Sequence, residues 1–171
     1  GTTSSLQWVV DSYTLSFAAL LLTSGTACDR LGARHVYLAG LATFAIFSFL
    51  CALSTSMWEL IIFRAFQGIG AAMVVPSSLA LIAEMYSDHE QRTKVIGLWG
   101  AAGGIAAALG PIVGGMLVSA IDWNAAFWIN IPIITALIML VIGVIPVQKA
   151  SAAKRFDLWG QVTAIVSLSS I

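Results

Sequence analysis

Five long apolar stretches constrain what this chain can fold into more than any other feature of its sequence. A helix needs about 20 mostly apolar residues to cross the hydrocarbon core of a bilayer. The stretches that reach this length are Leu6–Cys28, Val36–Leu53, Met57–Met85, Val95–Ala120 and Ala125–Val147. Across the chain 59% of residues are hydrophobic and 9% are charged, which is too little polar surface for a soluble domain. The sequence therefore predicts an all-α fold, a polytopic bundle of membrane helices.

The chain divides into three predicted segments. Residues 1–147 hold the five membrane helices, residues 148–157 form a polar loop, and residues 158–171 begin a further membrane helix. The first residue is not Met, and the last, Ile171, falls inside an apolar run. We therefore expect the chain to be part of a longer polypeptide. Its first residues carry no basic segment of the kind that opens a signal peptide.

Basic residues are predicted to lie on one side of the bundle. The connections after the first, third and fifth helices carry Arg30, Arg34, Arg92, Lys94, Lys149, Lys154 and Arg155. The two other connections, Ser54–Ser56 and Ile121–Asn124, contain no Lys or Arg. Because Lys and Arg accumulate in cytoplasmic loops, the basic connections, including residues 148–157, are predicted to be cytoplasmic, in a multi-pass protein of the plasma (inner) membrane.

Charged side chains inside the apolar stretches need an explanation, because each costs about 2.5–3.5 kcal/mol at the bilayer centre on insertion scales. Asp11 lies in the outer half of the first helix; it either binds a proton or cation, or is a solvated acid at headgroup level. Arg64, followed one turn later by Gln67, either meets a cavity or a buried acid, or extends to the outer surface. Asp11, Arg64 and Gln67 are the candidate residues for transport and coupling. Glu84, at the inner end of the same helix, either pairs with a basic loop residue or remains an interfacial acid.

The fourth helix is rich in small residues, and one cluster within it predicts a bend. Gly110, Pro111, Gly114 and Gly115 form this cluster. Small residues at four-residue spacing allow close helix contact, and a proline removes a backbone hydrogen bond and kinks a helix. Generic packing alone would explain the glycines, but less readily the compact cluster.

Several functional classes find no support in the sequence. The formal net charge is zero, so nothing indicates a nucleic-acid partner. Cys28 and Cys51 lack metal-ligand spacing. The segment Gly68-Ile69-Gly70 resembles the start of a dinucleotide fingerprint, but Met73 stands where its third glycine would be and no strand precedes it. We expect no cofactor, no metal and no enzymatic activity.

Four segments, in order along the chain, resemble the signature motifs of one membrane-protein family. The first covers Gly25–Arg34 and is similar to Gly-x-Leu-Ala-Asp-Arg-x-Gly-Arg-Arg. The chain departs from that pattern at Ala27, Cys28 and Ala33. The resemblance, together with the ion pairs that this region can form, implies an inner gating loop. Its predicted residues are Gly25, Asp29, Arg30, Gly32, Arg34 and Glu84.

The other three segments specify the family more narrowly. Residues 64–68 keep an Arg-x-x-Gln-Gly motif, and Gly110–Gly115 matches an antiporter motif whose leading glycine is replaced by Ala106. Residues 123–132 resemble the stretch Trp-Arg-Trp-x-Phe-x-Ile-Asn-x-Pro, and the opening Gln7–Tyr13 fits the same branch. Together these motifs are similar to the major facilitator superfamily, and within it to the drug:proton antiporters with fourteen transmembrane helices.

The resemblance implies a fold and a function. The first helix here would be family helix two, and residues 158–171 would begin helix seven, so the chain would be a partial N-terminal half. The implied activity is proton-coupled efflux of hydrophobic or cationic drugs by alternating access. Its partners would be small-molecule substrates, protons, the lipid bilayer and the remainder of the same polypeptide. A metabolite exporter of the same superfamily, or a membrane sensor or assembly module that does not transport, remains the alternative.

Overall fold

The structure, a computed structural model, describes residues 3–146. This part of the chain consists of helices and short connections and contains no β-strand, which confirms the predicted all-α class. The helices are α1 (Thr3–Leu31), α2 (Ala33–Leu53), α3 (Met57–Met85), α4 (His89–Ala120), α5 (Ala125–Trp128) and α6 (Asn130–Val144). By length and composition, α1 to α4 and the combined segment Ala125–Val144 can each cross a membrane. The predicted loop 148–157 and helix 158–171 lie outside the described residues.

The predicted helix boundaries are confirmed for α3 and are wrong at the start of α4. Helix α3 begins and ends as predicted, with Ser56 and Glu59 forming a reciprocal capping box at its start. Helix α4 begins at His89 rather than Val95, because the Asp88 carboxylate accepts a hydrogen bond from Gln91 N at 2.9 Å and caps it. The prediction counted only apolar residues, so it left out the polar first turns of this helix.

The last predicted span is interrupted. Its helix is divided at Ile129 into the single turn α5 and the longer α6, which ends at Val144. Pro132, the third residue of α6, has no N–H and cannot donate to the carbonyl of Trp128. The backbone at Ile129 remains helical, with φ −62° and ψ −27°, so the two pieces continue in one direction.

Helix α3 occupies the centre of the bundle, between α1 and α2. A Cβ added at Gly68 would overlap Tyr13 O and Ser16 Oγ of α1. A Cβ added at Gly70 would lie 2.7 Å from Phe44 N of α2. Residues two apart point about 200° away from each other around a helix. The Gly68-Ile69-Gly70 sequence therefore lets two helices approach opposite sides of α3.

The remaining helices are attached less extensively. Helix α2 also packs against α5 and α6, whereas α4 contacts only α3 and α5 among the described elements. No residue of α4 is buried within the described part of the chain. The site residues carried by α1 and α3 are therefore held by close packing, and those of α4 are held chiefly through its two ends.

Candidate functional site

Arg64 is positioned by three groups at the contact between α1 and α3. Its Nε donates a hydrogen bond to the carbonyl oxygen of Val9 at 3.2 Å, and its Nη1 donates to Gln67 Oε1 at 2.8 Å. The guanidinium carbon lies 4.1 Å from the centroid of the Tyr13 ring, within the range of a cation–π contact. Gln67 itself is 1% exposed. The cation is thus stabilised by dipoles and a ring face, and no ion pair to Arg64 occurs within residues 3–146.

The local sequence explains why these groups meet. Arg64 and Gly68 are four residues apart and share a face of α3. Because Gly68 has no side chain, the α1 backbone comes close enough for the Val9 carbonyl to reach Arg64. Val9 and Tyr13 are likewise four residues apart on α1. Planar geometry and several N–H donors suit a guanidinium to this arrangement better than an ammonium.

The structure does not bring Asp11 to Arg64. Val9 and Tyr13 face α3, and Asp11 lies two residues from each, about 200° around the helix. Asp11 is half-buried and shares its side of α1 with Gln7 and Thr14, which are both exposed. The two predicted coupling residues therefore stand on opposite sides of α1, and Arg64 instead meets the predicted Gln67. The transport roles of all three remain predictions.

The predicted gating residues cluster around a one-residue connection. Asp29 and Arg30 fall in the last turn of α1, which continues to Leu31 rather than ending at Cys28. Gly32 alone separates α1 from α2, with φ 84° and ψ 136°, a conformation that favours glycine. This connection is tighter than the loop expected from sequence.

The other predicted gating residues, Gly25, Arg34 and Glu84, lie on three different helices. Arg34 Nη2 donates to the carbonyl oxygen of Ile142 near the end of α6 at 3.4 Å, where a cation is favoured by the helix dipole. Ala33, which replaces an arginine of the resembled motif, is 1% exposed. Glu84 is exposed at the end of α3, and Gly25 lies in the body of α1.

The glycine-rich cluster of α4 presents an open face. A Cβ added at Gly110, Gly114 or Gly115 would meet no atom within 4 Å in the described part of the chain. Pro111 lies within a helix that is continuous from His89 to Ala120. The close contact predicted for this cluster is therefore not made by α1 to α6, and it stays a prediction for other parts of the polypeptide.

Sequence reasoning missed a second polar site, between α2 and the interrupted helix. Ser48 Oγ donates to the Phe127 carbonyl at 3.0 Å, Asn130 Nδ2 donates to Ser48 Oγ at 3.0 Å, and Asn124 Nδ2 donates to the Ala52 carbonyl at 3.0 Å. The only signal was the asparagines of residues 123–132, which were noted for their resemblance and not for a contact. Ser48 gave no signal, since a serine in an apolar helix is common.

Comparison with known proteins gives a consistent result. Residues 1–170 match the family model described as Major Facilitator Superfamily. The chain is 48% identical over 130 residues to a methylenomycin A resistance protein of Bacillus subtilis, covering 76% of this chain and 28% of that protein. It is 35% identical over 166 residues to the multidrug resistance protein Stp of Mycobacterium tuberculosis, covering 97% of this chain and 31% of that protein.

A solved structure shows the same fold. A crystal structure of a peptide transporter, POT, superposes with a TM-score of 0.78 at 14% identity, covering 99% of this chain and 36% of that one. At this identity the likeness concerns the fold alone. The chain spans about a third of the length of the curated relatives it matches.

Proposed function

The chain belongs to the Major Facilitator Superfamily, and we propose that it forms part of a proton-coupled exporter of hydrophobic or cationic drugs that works by alternating access. The observation that carries this proposal is its similarity, over nearly its whole length, to proteins named for antibiotic and multidrug resistance. The proposal makes the protein a membrane transporter and not an enzyme. Its substrates are small molecules, and protons supply the driving force.

The Arg64 site supports transport over a purely structural module. A guanidinium inside a membrane helix is costly, yet here it is held by Val9 O, Gln67 and Tyr13 without a neutralising carboxylate among residues 3–146. A scaffold gains little from a cation kept in this state. A transporter can use it to order water or to lower the pKa of a carboxyl group that approaches during the cycle.

Orientation follows from the basic residues. Arg30 and Arg34 flank the α1–α2 connection, and Arg92 and Lys94 lie in the first turns of α4. Both connections are on the same side of the bundle, since an even number of antiparallel spans separates them. We assign that side to the cytoplasm of a cell with this protein in its plasma (inner) membrane. The proposed unit is the five spans of residues 1–147 with a cytoplasmic loop at 148–157 and a further span from 158.

The test uses the complete gene product in everted membrane vesicles from a host lacking its own drug pumps. We expect an imposed pH gradient to drive accumulation of a cationic dye and a neutral dye, and a protonophore to abolish it. Vesicles carrying Arg64→Ala serve as the control at equal protein level. Export that ignores the pH gradient would contradict proton coupling. The absence of accumulation for every dye, with the protein correctly inserted, would contradict drug efflux.

A metabolite exporter of the same superfamily is the second candidate. The named relatives include proteins of resistance to natural antibiotics, so a narrow substrate range is compatible with the same fold. Competition separates the two candidates. A multidrug exporter shows mutual inhibition among unrelated dyes, whereas a dedicated exporter leaves all dyes untransported and responds to one compound class.

A further inference from the structure

A set of side-chain hydrogen bonds joins the last two turns of α2 to the interrupted helix, and we call Ser48, Asn124 and Asn130 the α2–α5 clamp. Ser48 is fully buried. Its hydroxyl accepts from Asn130 Nδ2 and donates to the Phe127 carbonyl, each at 3.0 Å. Hydrogen bonds in such a chain polarise and strengthen one another. The clamp therefore connects two helices through a directed series of bonds, not through apolar packing alone.

The clamp satisfies backbone groups that the local structure leaves open. Beside the interruption at Ile129, Asn130 Nδ2 also donates to the Ala126 carbonyl at 3.4 Å. At the end of α2 the Ala52 carbonyl has no helical donor, and Asn124 Nδ2 supplies one at 3.0 Å. An unpaired backbone carbonyl inside a membrane protein is costly. These bonds therefore give α2 and the interrupted helix one preferred register.

The clamp lies directly beside the end of α4. The turn between α4 and α5 is closed by backbone bonds, from Ala125 N to Asp122 O at 3.1 Å and from Ala126 N to Trp123 O at 3.3 Å. Asn124, a member of the clamp, is part of this turn. Because α4 contacts only α3 and α5 among the described elements, its far end is positioned through this turn.

We propose that Ser48, Asn124 and Asn130 are positioning residues that fix the end of α4, and with it the Gly110–Gly115 segment, relative to α2. They act through the α4–α5 turn and touch no transported molecule. Loss of the Ser48 or Asn130 bond loosens α5 against α2, leaving the Asn124 bond to Ala52, and widens the range of positions of the end of α4. The geometric part of this inference stands without any transport activity. Its consequence for export rests on the proposed function.

The test measures a distance inside the complete gene product in proteoliposomes. Spin labels are attached at Leu53 and Ser119, both exposed, in a background where Cys28 and Cys51 are replaced by alanine. The variants are Ser48→Ala, Asn130→Leu and the double change. Thr135→Val is the matched control, because the Thr135 hydroxyl donates within its own helix to the Ile131 carbonyl at 2.7 Å.

We expect both single variants to broaden the label–label distance distribution and the control to leave it unchanged. The double variant should behave like either single one, since neighbours in one network are not additive. Initial export rates should fall by about fivefold, the effect of one lost buried hydrogen bond on an equilibrium. A residue that only stabilises the fold would reduce the amount of inserted protein and leave the distance in the inserted fraction unchanged.

Unchanged distances in Ser48→Ala and Asn130→Leu would overturn the inference, whatever the export rate. Equal broadening in Thr135→Val would overturn it too, because any lost hydroxyl would then suffice. If Ser48→Ala fails to insert, Asn130→Leu decides the question, because Asn130 is half-buried and Leu is of similar size. A failed export assay with broadened distances would contradict the proposed function and leave the geometry in place.

Discussion

A single side chain, Arg64, shows how the membrane helices tolerate a charge. The guanidinium is compensated by the Val9 carbonyl, Gln67 Oε1 and the Tyr13 ring. The Nε–H donates to the Val9 carbonyl, an Nη1–H donates to Gln67, and the planar cation lies over the Tyr13 ring. An ammonium supplies charge but cannot fill all three positions at once. The identity of the residue should therefore matter as much as its charge.

Replacing Arg64 with lysine tests this point. We expect Arg64→Lys to lower initial export of a cationic and a neutral dye by about tenfold, because the loss of one charge-assisted hydrogen bond is worth about 1.5–3 kcal/mol. Export is measured in everted vesicles and normalised to inserted protein. Arg92→Lys, an exposed residue of α4, is the control and should keep the parent rate. If Arg64→Lys exported both dyes at the rate of the unmodified protein, the positive charge alone would be sufficient.

Asp11 should act separately from Arg64, since the two lie on opposite sides of α1. A carboxylate that loses its proton can hold a cation, and protonation then releases it. We expect Asp11→Asn to reduce export of a cationic dye selectively, whereas Arg64→Ala reduces export of all dyes. The double variant should show additive losses in free energy, because the residues share no partner. Intact cation export by Asp11→Asn would make Asp11 a headgroup-level residue.

At the scale of helices, the two glycines of α3 set the spacing of the bundle. A Cβ at Gly70 would lie 2.9 Å from Gly40 O, and one at Gly68 would overlap α1 backbone and side-chain atoms. We expect Gly68→Ala and Gly70→Ala each to cost about 1–3 kcal/mol of stability, the usual effect of overpacking. Gly25→Ala is the matched control, because no atom lies within 4 Å of its added Cβ. Thermal unfolding in detergent measures the difference, and equal midpoints for Gly70→Ala and Gly25→Ala would contradict it.

The open face of α4 predicts a different outcome. In the complete gene product we expect Gly114→Leu to abolish proton-coupled efflux, because a bulky side chain would prevent the close helix contact predicted there. Gly114→Ala is the conservative comparison and should retain most activity, since alanine is still small. Dye accumulation driven by a pH gradient is the measurement. Normal efflux by Gly114→Leu at normal expression would show that the segment does not mediate such a contact.

The elements explain what could be predicted from sequence and what could not. Apolar length located five spans and gave both ends of α3, Met57 and Met85. Apolar length did not locate the start of α4 at His89, because the first turns of that helix are polar. The position of Asp11 relative to Arg64 could not be derived, because it depends on which side of α1 packs against α3. The Ser48 contact could not be derived either, since it depends on packing between segments 79 residues apart.

At the scale of the whole molecule, alternating access requires that one end of the bundle open while the other closes. The α1–α2 connection is suited to couple such a movement, because a single residue, Gly32, joins the two helices. The adjoining ends of α1 and α2 therefore stay next to each other when either helix moves. Arg34 extends the coupling to α6 through the Ile142 carbonyl. Three helices thus meet on the side predicted to be cytoplasmic.

Asp29 is predicted to belong to the contacts that hold this side closed, and removing its charge tests that role. We expect Asp29→Asn to slow export at normal insertion, because a weakened contact shifts the population toward the state open to the cytoplasm. Two quantities are measured. One is the export rate per inserted molecule. The other is the labelling of Ser119→Cys by a membrane-impermeant reagent, and we expect this labelling to decrease. Asp122→Asn is the control, since the Asp122 carboxylate bonds only to the adjacent Trp123 N within the described residues. Unchanged export and labelling in Asp29→Asn would remove Asp29 from the gate.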